Sequence, residues 1–230
     1  MKIALCILAR NERECLELIL PRIPKPSAEV GFQNIYAIDG GSTDGTVELL
    51  EKWGIPIIGQ SRRGRGQAFL EAFDKIDADA FIFFSPDGNE DVRDLAKFKV
   101  LLEQGNQLVI ASRMMKGAVN EEDHQWLKWR KWANNAFNLL VNFFFRKQGP
   151  FVTDSINGYR AITRLAAREL NLTAHDYTIE YQMTIRAFKK RLKIAEFPTI
   201  EGHRLAGETG AHSFITGIRF SRRLFSEIWI

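Results

Sequence analysis

The architecture this sequence predicts is α/β: a mainly parallel sheet with helices on both faces. Two observations carry that expectation. Short apolar runs alternate with stretches of helical period through the first half of the chain, and polar, glycine-containing clusters follow the apolar runs. A third is size and composition, since 230 residues that are 45% hydrophobic and 26% charged hold enough apolar material for one domain with a sizeable core.

Taken in order, KIALCIL is an apolar run without polar alternation, which suits a strand covered on both faces. A helix is expected over Glu12 to Leu20. NIYAID is the second strand, and DGGSTDGT behind it supplies turn glycines and capping side chains for a helix from about Thr43 to Lys52. IPIIGQ, a helix from about Gly66 to Ile76, and the strand AFIFFS continue the alternation, and LVIAS near residue 110 adds a further strand.

After Arg113 the alternation stops. A polar loop, GAVNEEDH, leads into an aromatic helical stretch from Trp126 to Phe145; residues 165 to 190 read as helical and IAEFPTI as an edge-type strand. FITGIRFSRRLFSEIWI is a basic amphipathic terminal segment. The expected division is therefore 1–115 as a ligand-binding half, 116–208 as a second half of the same domain, and 209–230 as a helical C-terminal extension. No internal repeat interrupts this order.

A net charge of +4 favours anionic partners. No nucleic-acid recognition motif accompanies the charge, so a nucleic-acid partner is not expected. Cys6 and Cys15 have no metal-ligand spacing and read as buried reduced thiols. The N-terminus MKIALCILARNERE reads as a buried strand, not a signal peptide. No run reaches the roughly 18 to 20 apolar residues of a membrane span. A cytoplasmic protein follows, soluble or peripheral on the cytoplasmic membrane face.

Chemistry is expected where strands end, because open α/β sheets bind ligands beyond the carboxyl ends of their strands. Asn11 and Glu12, the DGGSTDGT cluster from Asp39, and SPDGNED from Ser85 all fall there. Asp39 suits hydrogen bonding to a base or ribose, or simple turn chemistry. The glycines of RRGRGQAF would let backbone approach a diphosphate whose charge Arg62, Arg63 and Arg65 would offset. Asp87 and Asn89 stand two apart after an apolar run, as oxygen ligands for Mg²⁺ or Mn²⁺ or as members of a solvated turn.

In order, LARNERE, AIDGGSTDGT, GRGQAF, FFSPDGNED, ASR, TDSINGYRA and HRLAGET resemble the motifs of family 2 glycosyltransferases, most of all the dolichyl-phosphate mannosyltransferase and polyprenyl-phosphate glycosyltransferase branch. The resemblance runs to about Glu208. It implies a GT-A (Rossmann-like) fold, a nucleoside-diphosphate sugar donor, one divalent metal, and inversion by direct displacement. By the same resemblance Glu12, Asp39, Arg65 and Arg204 bind the nucleotide sugar, and Asp87 with Asn89 the metal. Arg113, Arg130 and Asn134 fall where that branch binds an acceptor phosphate. Catalysis is expected at Asp87, Arg113 and Asp154.

The chain departs from the family pattern at several positions. Ser85 stands at the first Asp of the family's DxD motif and Asn89 at a frequent Gln. Leu8, Arg10, Gly40 and Asn134 replace the common Pro, Tyr, second Asp and Ser. A polyprenyl phosphate acceptor needs no general base, whereas a hydroxyl acceptor of a cell-surface glycan needs a carboxylate, for which Asp154 or Glu180 is available. The alternatives from other classes are a nucleotidyltransferase and a non-catalytic sugar-nucleotide or lipid-binding protein.

The aromatic segment from Trp126 to Phe145, with Lys128, Arg130, Lys131 and Arg146, suits a membrane interface or a core helix equally. The terminal segment, with Arg219, Arg222 and Arg223, invites the same readings or an oligomer contact. His124, His175, His203 and His212 lack zinc spacing and receive no catalytic role. The glycine-containing loop between His203 and His212 is a candidate lid.

Overall fold

The computed structural model describes residues 1–27, 29–206 and 213–229. The candidate lid and the 208/209 boundary therefore lie outside the described residues for the most part. The first four strands are β1 (Ile3–Ala9), β2 (Asn34–Asp39), β3 (Ile57–Gly59) and β4 (Ala80–Phe84), and the last three are β5 (Leu108–Ser112), β6 (Arg160–Thr163) and β7 (Ile194–Pro198). They form one sheet in the order β3-β2-β1-β4-β6-β5-β7. β6 runs antiparallel to both neighbours, and all other pairings are parallel. The edge position expected for IAEFPTI is the one β7 takes.

Side-chain alternation divides the core into two layers. On β1, Ala4 and Cys6 face one layer and Ile3, Leu5 and Ile7 the other; on β4, Phe81 and Phe83 oppose Ala80, Ile82 and Phe84. Because both faces are apolar, helices must cover both. α3 (Arg65–Lys75), α5 (Trp129–Phe145), α6 (Arg164–Leu170), α7 (Ile179–Lys189) and α8 (Ser213–Ile228) supply residues to the first layer, and α1 (Arg13–Ile19), α2 (Thr46–Lys52) and α4 (Leu95–Glu103) to the second. Phe69 of α3 stacks on Phe83 with ring centroids 3.8 Å apart.

Two elements escaped the sequence pattern. β6 is only four residues long and begins with Arg160, a residue type that rarely marks a buried strand. Yet the Arg160 side chain is fully buried, donating to the carbonyl oxygens of Asn157 (2.7 Å), Glu180 (2.9 Å) and Ser155 (3.2 Å), and burial pushes its pKa down to about 10. α4 was also unassigned. Its apolar residues Leu95, Phe98 and Leu102 are spaced for one helical face and are all buried.

Local chemistry fixes the helix starts. Thr163 caps α6 by accepting the Ala166 N–H at 3.3 Å, and the buried Glu122 carboxylate accepts the Lys131 N–H in the first turn of α5 at 2.8 Å. α8 is docked by Glu227, whose carboxylate is fully buried against Arg186 (2.9 Å), Lys189 (3.4 Å) and Gln182 (2.7 Å). Among the described residues no helix is long and apolar enough to cross a membrane.

Candidate active site

The carboxyl ends of β3, β2, β1 and β4 lie side by side, so the polar segments that follow them meet along one edge of the sheet. There they line a cavity of about 590 Å³, walled by Arg10, Asn11, Glu12, Gly40, Gln60, Arg62, Arg63, Arg65, Ser85, Asp87, His175, Tyr177, Arg204 and Arg219, among others. The loops are laced together: Asn11 Oδ1 accepts the Thr43 N–H at 2.8 Å, and Thr46 Oγ1 accepts the Glu12 N–H at 3.0 Å.

Arg204 crosses this cavity. Its Nη2 lies 2.7 Å from both Glu12 oxygens, its Nη1 lies 3.2 Å from Asp87 Oδ2, and its Nε donates to the Ala206 carbonyl. Leu205 N–H donates to the Asp87 carbonyl and Gly202 N–H to the Asn89 carbonyl, each at 2.9 Å, so residues 202–206 are strapped onto the β4–α4 loop. Burial raises the pKa values of Glu12 and Asp87 despite the pull of Arg204.

Asp39 is placed differently from Glu12. Its carboxylate accepts the Gly41 and Ser42 N–H groups, at 2.9 and 3.0 Å, and the Ser42 hydroxyl, shaping its own turn. Gly40, not Asp39, reaches the cavity wall.

Arg65 stands at the start of α3 with its Nε on Glu180 and both Nη atoms 3.3 Å from Ser85 Oγ. The loop carrying His175 crosses over this helix start so tightly that a Cβ at Gly64, whose φ is +152°, would sit 2.1 Å from the His175 carbonyl oxygen. A Cβ at Gly158 would meet Arg65 Nη2 at 1.8 Å, so that glycine makes the seat of the guanidinium.

A second cavity, of about 300 Å³, adjoins the first and shares Arg65, Ser85, Asp87 and Tyr177 with it. Arg113, Arg130 and Asn134 all line it, together with Asn89, Glu90, Glu180, Glu201 and the rings of Trp129, Phe137 and Phe220. Arg113 bonds Asp154 through Nε (2.8 Å) and Nη2 (3.1 Å), and Glu201 through Nη1 (2.9 Å). Burial disfavours this cation, but the two carboxylates outweigh it and hold the Arg113 pKa well above the ordinary value. Arg130 pairs with Glu122 (2.7 Å) and Glu121 (2.8 Å).

Asp154 is 0% exposed and lines neither cavity. A general base must reach the proton it removes. The base role expected of Asp154 therefore does not fit its placement: it is a buried ion-pair partner that positions Arg113. Glu90 was not singled out from the sequence. Its Oε2 accepts the Ser85 N–H at 2.8 Å, and burial, with the Asp87 carboxylate beside it, drives its pKa well above the ordinary value. Nothing in a run such as SPDGNED distinguishes this carboxyl from its acidic neighbours.

Asp87 fits a hard divalent cation. Its Oδ1 is buried and has no hydrogen-bond partner, an unusual state for a carboxylate oxygen that a cation would relieve. Asn89 lines only the second cavity. Among the described residues no group of three or more His, Cys, Asp or Glu side chains is assembled to hold a metal, so one carboxylate with Asn89 would leave most ligand positions to a diphosphate and water.

A mainly parallel sheet that gathers its polar loops at the carboxyl ends of β1 to β4, with helices on both faces, is the GT-A fold of glycosyltransferases. Glucosyl-3-phosphoglycerate synthase from Mycobacterium tuberculosis, solved with Mn²⁺, uridine diphosphate and phosphoglyceric acid, superposes with a TM-score of 0.75 at 19% identity, over 100% of this chain and 79% of that one. The model of glycosyl transferase family 2 matches residues 5–162, and the chain belongs to that family. It is 33% identical over 203 residues to glycosyltransferase AglJ of Haloferax volcanii, covering 85% of this chain and 62% of that protein. It is 24% identical over 214 residues to the dolichol-phosphate mannosyltransferase of Pyrococcus furiosus, covering 91% of this chain and 59% of that protein. The chain thus spans about three fifths of the length of these two relatives.

Proposed function

We propose that this chain is an inverting glycosyltransferase that moves a sugar from a nucleoside-diphosphate sugar to a polyprenyl phosphate at a membrane surface. One observation carries the reading: an arginine-rich cavity at the strand ends and an aromatic-rimmed cavity meet at a common wall of Arg65, Ser85, Asp87 and Tyr177. A donor diphosphate in the first cavity and an acceptor phosphate in the second would bring the anomeric carbon to that wall, within the positioning that a displacement requires. Residues 1–115 then serve chiefly the donor, and 116–208 the acceptor.

Arg65 and Arg204 would neutralise the departing diphosphate, with Glu180 holding Arg65 in place. Bound Mg²⁺ or Mn²⁺ would supply further charge neutralisation there, held by Asp87 with Asn89 at the adjoining wall. Arg130, Asn134 and Arg113 would seat the acceptor phosphate. One of its oxygens attacks the anomeric carbon from the face opposite the leaving diphosphate, forming the new C–O bond as the old one breaks. A phosphate ester with a second pKa of about 6 is already anionic near neutral pH and needs no base.

Support for the lipid comes from α5 and α8, which flank the second cavity. Trp132 and Phe143 on α5, Phe225 on α8 and Trp229 just beyond it are exposed, with Lys131 and Arg222 on the helices and Lys128 and Arg146 at the ends of α5, the composition of interfacial helices. Support for a phosphate-bearing acceptor also comes from the names of the mannosyltransferase relative and of the synthase complex.

A hydroxyl acceptor is the second reading, and Glu90, a carboxyl of raised pKa on the acceptor wall, is the observation that favours it. The test is transfer from radiolabelled uridine, guanosine and cytidine diphosphate sugars to polyprenyl phosphate in vesicles. Product that is chloroform-soluble and acid-labile supports the first reading; transfer only to polyprenols or soluble glycans overturns it.

A further inference from the structure

A polar strip runs along α5, a helix otherwise rich in aromatic side chains. Arg130, Asn134, Asn138 and Asn142 are spaced four apart, so they follow one another along one side of the helix. The first two line the second cavity. The other two are only 2% and 4% exposed and bond to the segment 152–155.

Asn138 holds both peptide groups that flank Asp154. Its Nδ2 donates to the Thr153 carbonyl at 2.6 Å, and its Oδ1 accepts the Ser155 N–H at 2.8 Å and the Ser155 hydroxyl at 2.6 Å. A carbonyl on one side and an N–H on the other use the two ends of an amide differently, so the side chain fits in one orientation. Glu196 of β7 takes the other edge of the segment, accepting the Thr153 and Asp154 N–H groups at 2.7 and 2.9 Å. Asp154, gripped from two sides, is the residue that bonds Arg113 through Nε and Nη2. Asn142 holds the same segment with a matching pair of bonds, but only at Val152, donating to its carbonyl at 2.7 Å and accepting its N–H at 3.0 Å.

One turn of helix separates Asn138 from Asn134 and two separate it from Arg130, about 6 and 12 Å at ~1.5 Å per residue. A hydrogen-bonded helix is stiff over that distance, so the grip at Asn138 decides where both residues stand relative to Arg113. We infer that Asn138 is a positioning residue of the acceptor cavity: by clasping the peptide groups on either side of Asp154 it sets the spacing between Arg113 and the pair Arg130 and Asn134, and so lets one phosphate engage all three. This rests on the acceptor assignment above and adds the side chain that aligns its arginines.

The test is titration calorimetry of the full chain with geranyl phosphate, a short isoprenyl phosphate that stays in solution, and separately with UDP, GDP and CDP in the presence of Mn²⁺. The proteins are the wild type, Asn138→Ala, Asn142→Ala, Arg130→Ala and the double variant Asn138→Ala with Arg130→Ala, with melting curves to confirm folding. Both asparagine variants should melt earlier, but only Asn138→Ala should weaken geranyl phosphate, by about tenfold, the worth of one charge-assisted hydrogen bond. Its affinity for the nucleotides that the wild type binds should stay unchanged. In the Arg130→Ala background the same substitution should cost much less, because the arginine it aligns is gone. Should Asn138→Ala not fold, Asn138→Asp takes its place: it is isosteric and keeps the acceptor for Ser155, but sets an oxygen against the Thr153 carbonyl, and the same selective loss is expected. Equal acceptor affinity in the two asparagine variants, a loss shared with the nucleotides, or additive losses with Arg130→Ala overturns the inference and leaves the phosphate acceptor standing. A folded wild type that binds no geranyl phosphate overturns both.

Discussion

Arg204 Nη1 lies 3.2 Å from Asp87 Oδ2 while its Nη2 lies 2.7 Å from both Glu12 oxygens, so one guanidinium ties the loop after β1 to the loop after β4 across the mouth of the cavity. Only Asp87 Oδ1 is left without a partner in that arrangement. The same carboxylate thus joins a strap, a buried oxygen without a hydrogen-bond partner and both cavities.

Asp87→Asn should abolish metal-dependent binding of the donor and lower kcat/KM by on the order of 10²–10³, the usual loss when a charge-stabilising group is removed from a reacting centre. Melting curves without ligand check that the fold survives. Calorimetry with Mn²⁺ and nucleoside diphosphate reads the loss directly.

Metal-dependent donor binding should fall with decreasing pH sooner than an ordinary aspartate would allow. Asp87 must be ionised to bind a cation, and burial raises its pKa. Binding is therefore complete above the raised value and lost as pH drops through it. Arg204→Ala removes a cation that lowers this pKa and should move the acid limb further up, as Mn²⁺ titrations at a series of pH values would read.

Glu90→Gln should raise the melting temperature near pH 7. A carboxyl whose folded pKa lies above its unfolded value binds protons more tightly in the native state, so its penalty grows as pH rises from the unfolded pKa through the folded one. The amide keeps an acceptor for the Ser85 N–H, and each kcal/mol recovered is about 2–4 °C for a chain of this size. Turnover retained by this variant supports the phosphate acceptor; turnover lost with donor binding intact supports Glu90 as a base for a hydroxyl.

Asp154→Asn should act through stability. It removes one of the two carboxylates that compensate the part-buried Arg113 and is expected to cost about 3 kcal/mol, measured by denaturant unfolding. The pH dependence of the activity that remains should keep its acid limb, since Asp154 reaches no cavity.

Trp132→Ala with Phe143→Ala, both on the outer face of α5, should reduce co-flotation with anionic vesicles and leave the affinity for soluble nucleotide unchanged. The two side chains are 58% and 77% exposed, so the fold loses little.

Much of the fold was legible because it is written in local periodicity. β1, β2, β4 and β5 coincide with KIALCIL, NIYAID, AFIFFS and LVIAS, since strands buried on both faces must be continuously apolar. β6 was not legible: four residues led by an arginine carry no strand pattern, and only the surrounding carbonyls that receive Arg160 make its burial tolerable.

The site was legible in part, and for a related reason. Glu12, Arg65, Asp87 and Arg204 were nominated and do line one cavity, and Arg113, Arg130 and Asn134 line the next. What each side chain is free to do was not legible. Asp39 and Glu12 are both acidic residues in polar clusters at strand ends, yet one closes its own turn and the other meets a strap arriving from 192 residues away.

The sequence by itself determined the sheet-forming segments other than β6, the placement of polar clusters after the strands, and the family. These follow from which residues are apolar and from their order along the chain. Only the tertiary structure decided which carboxylates are neutralised, which acceptor atoms remain without partners, and that two cavities meet at Asp87. Those depend on distances between segments far apart in sequence, and electrostatic and hydrogen-bond energies are set by such distances and by burial, not by residue type alone.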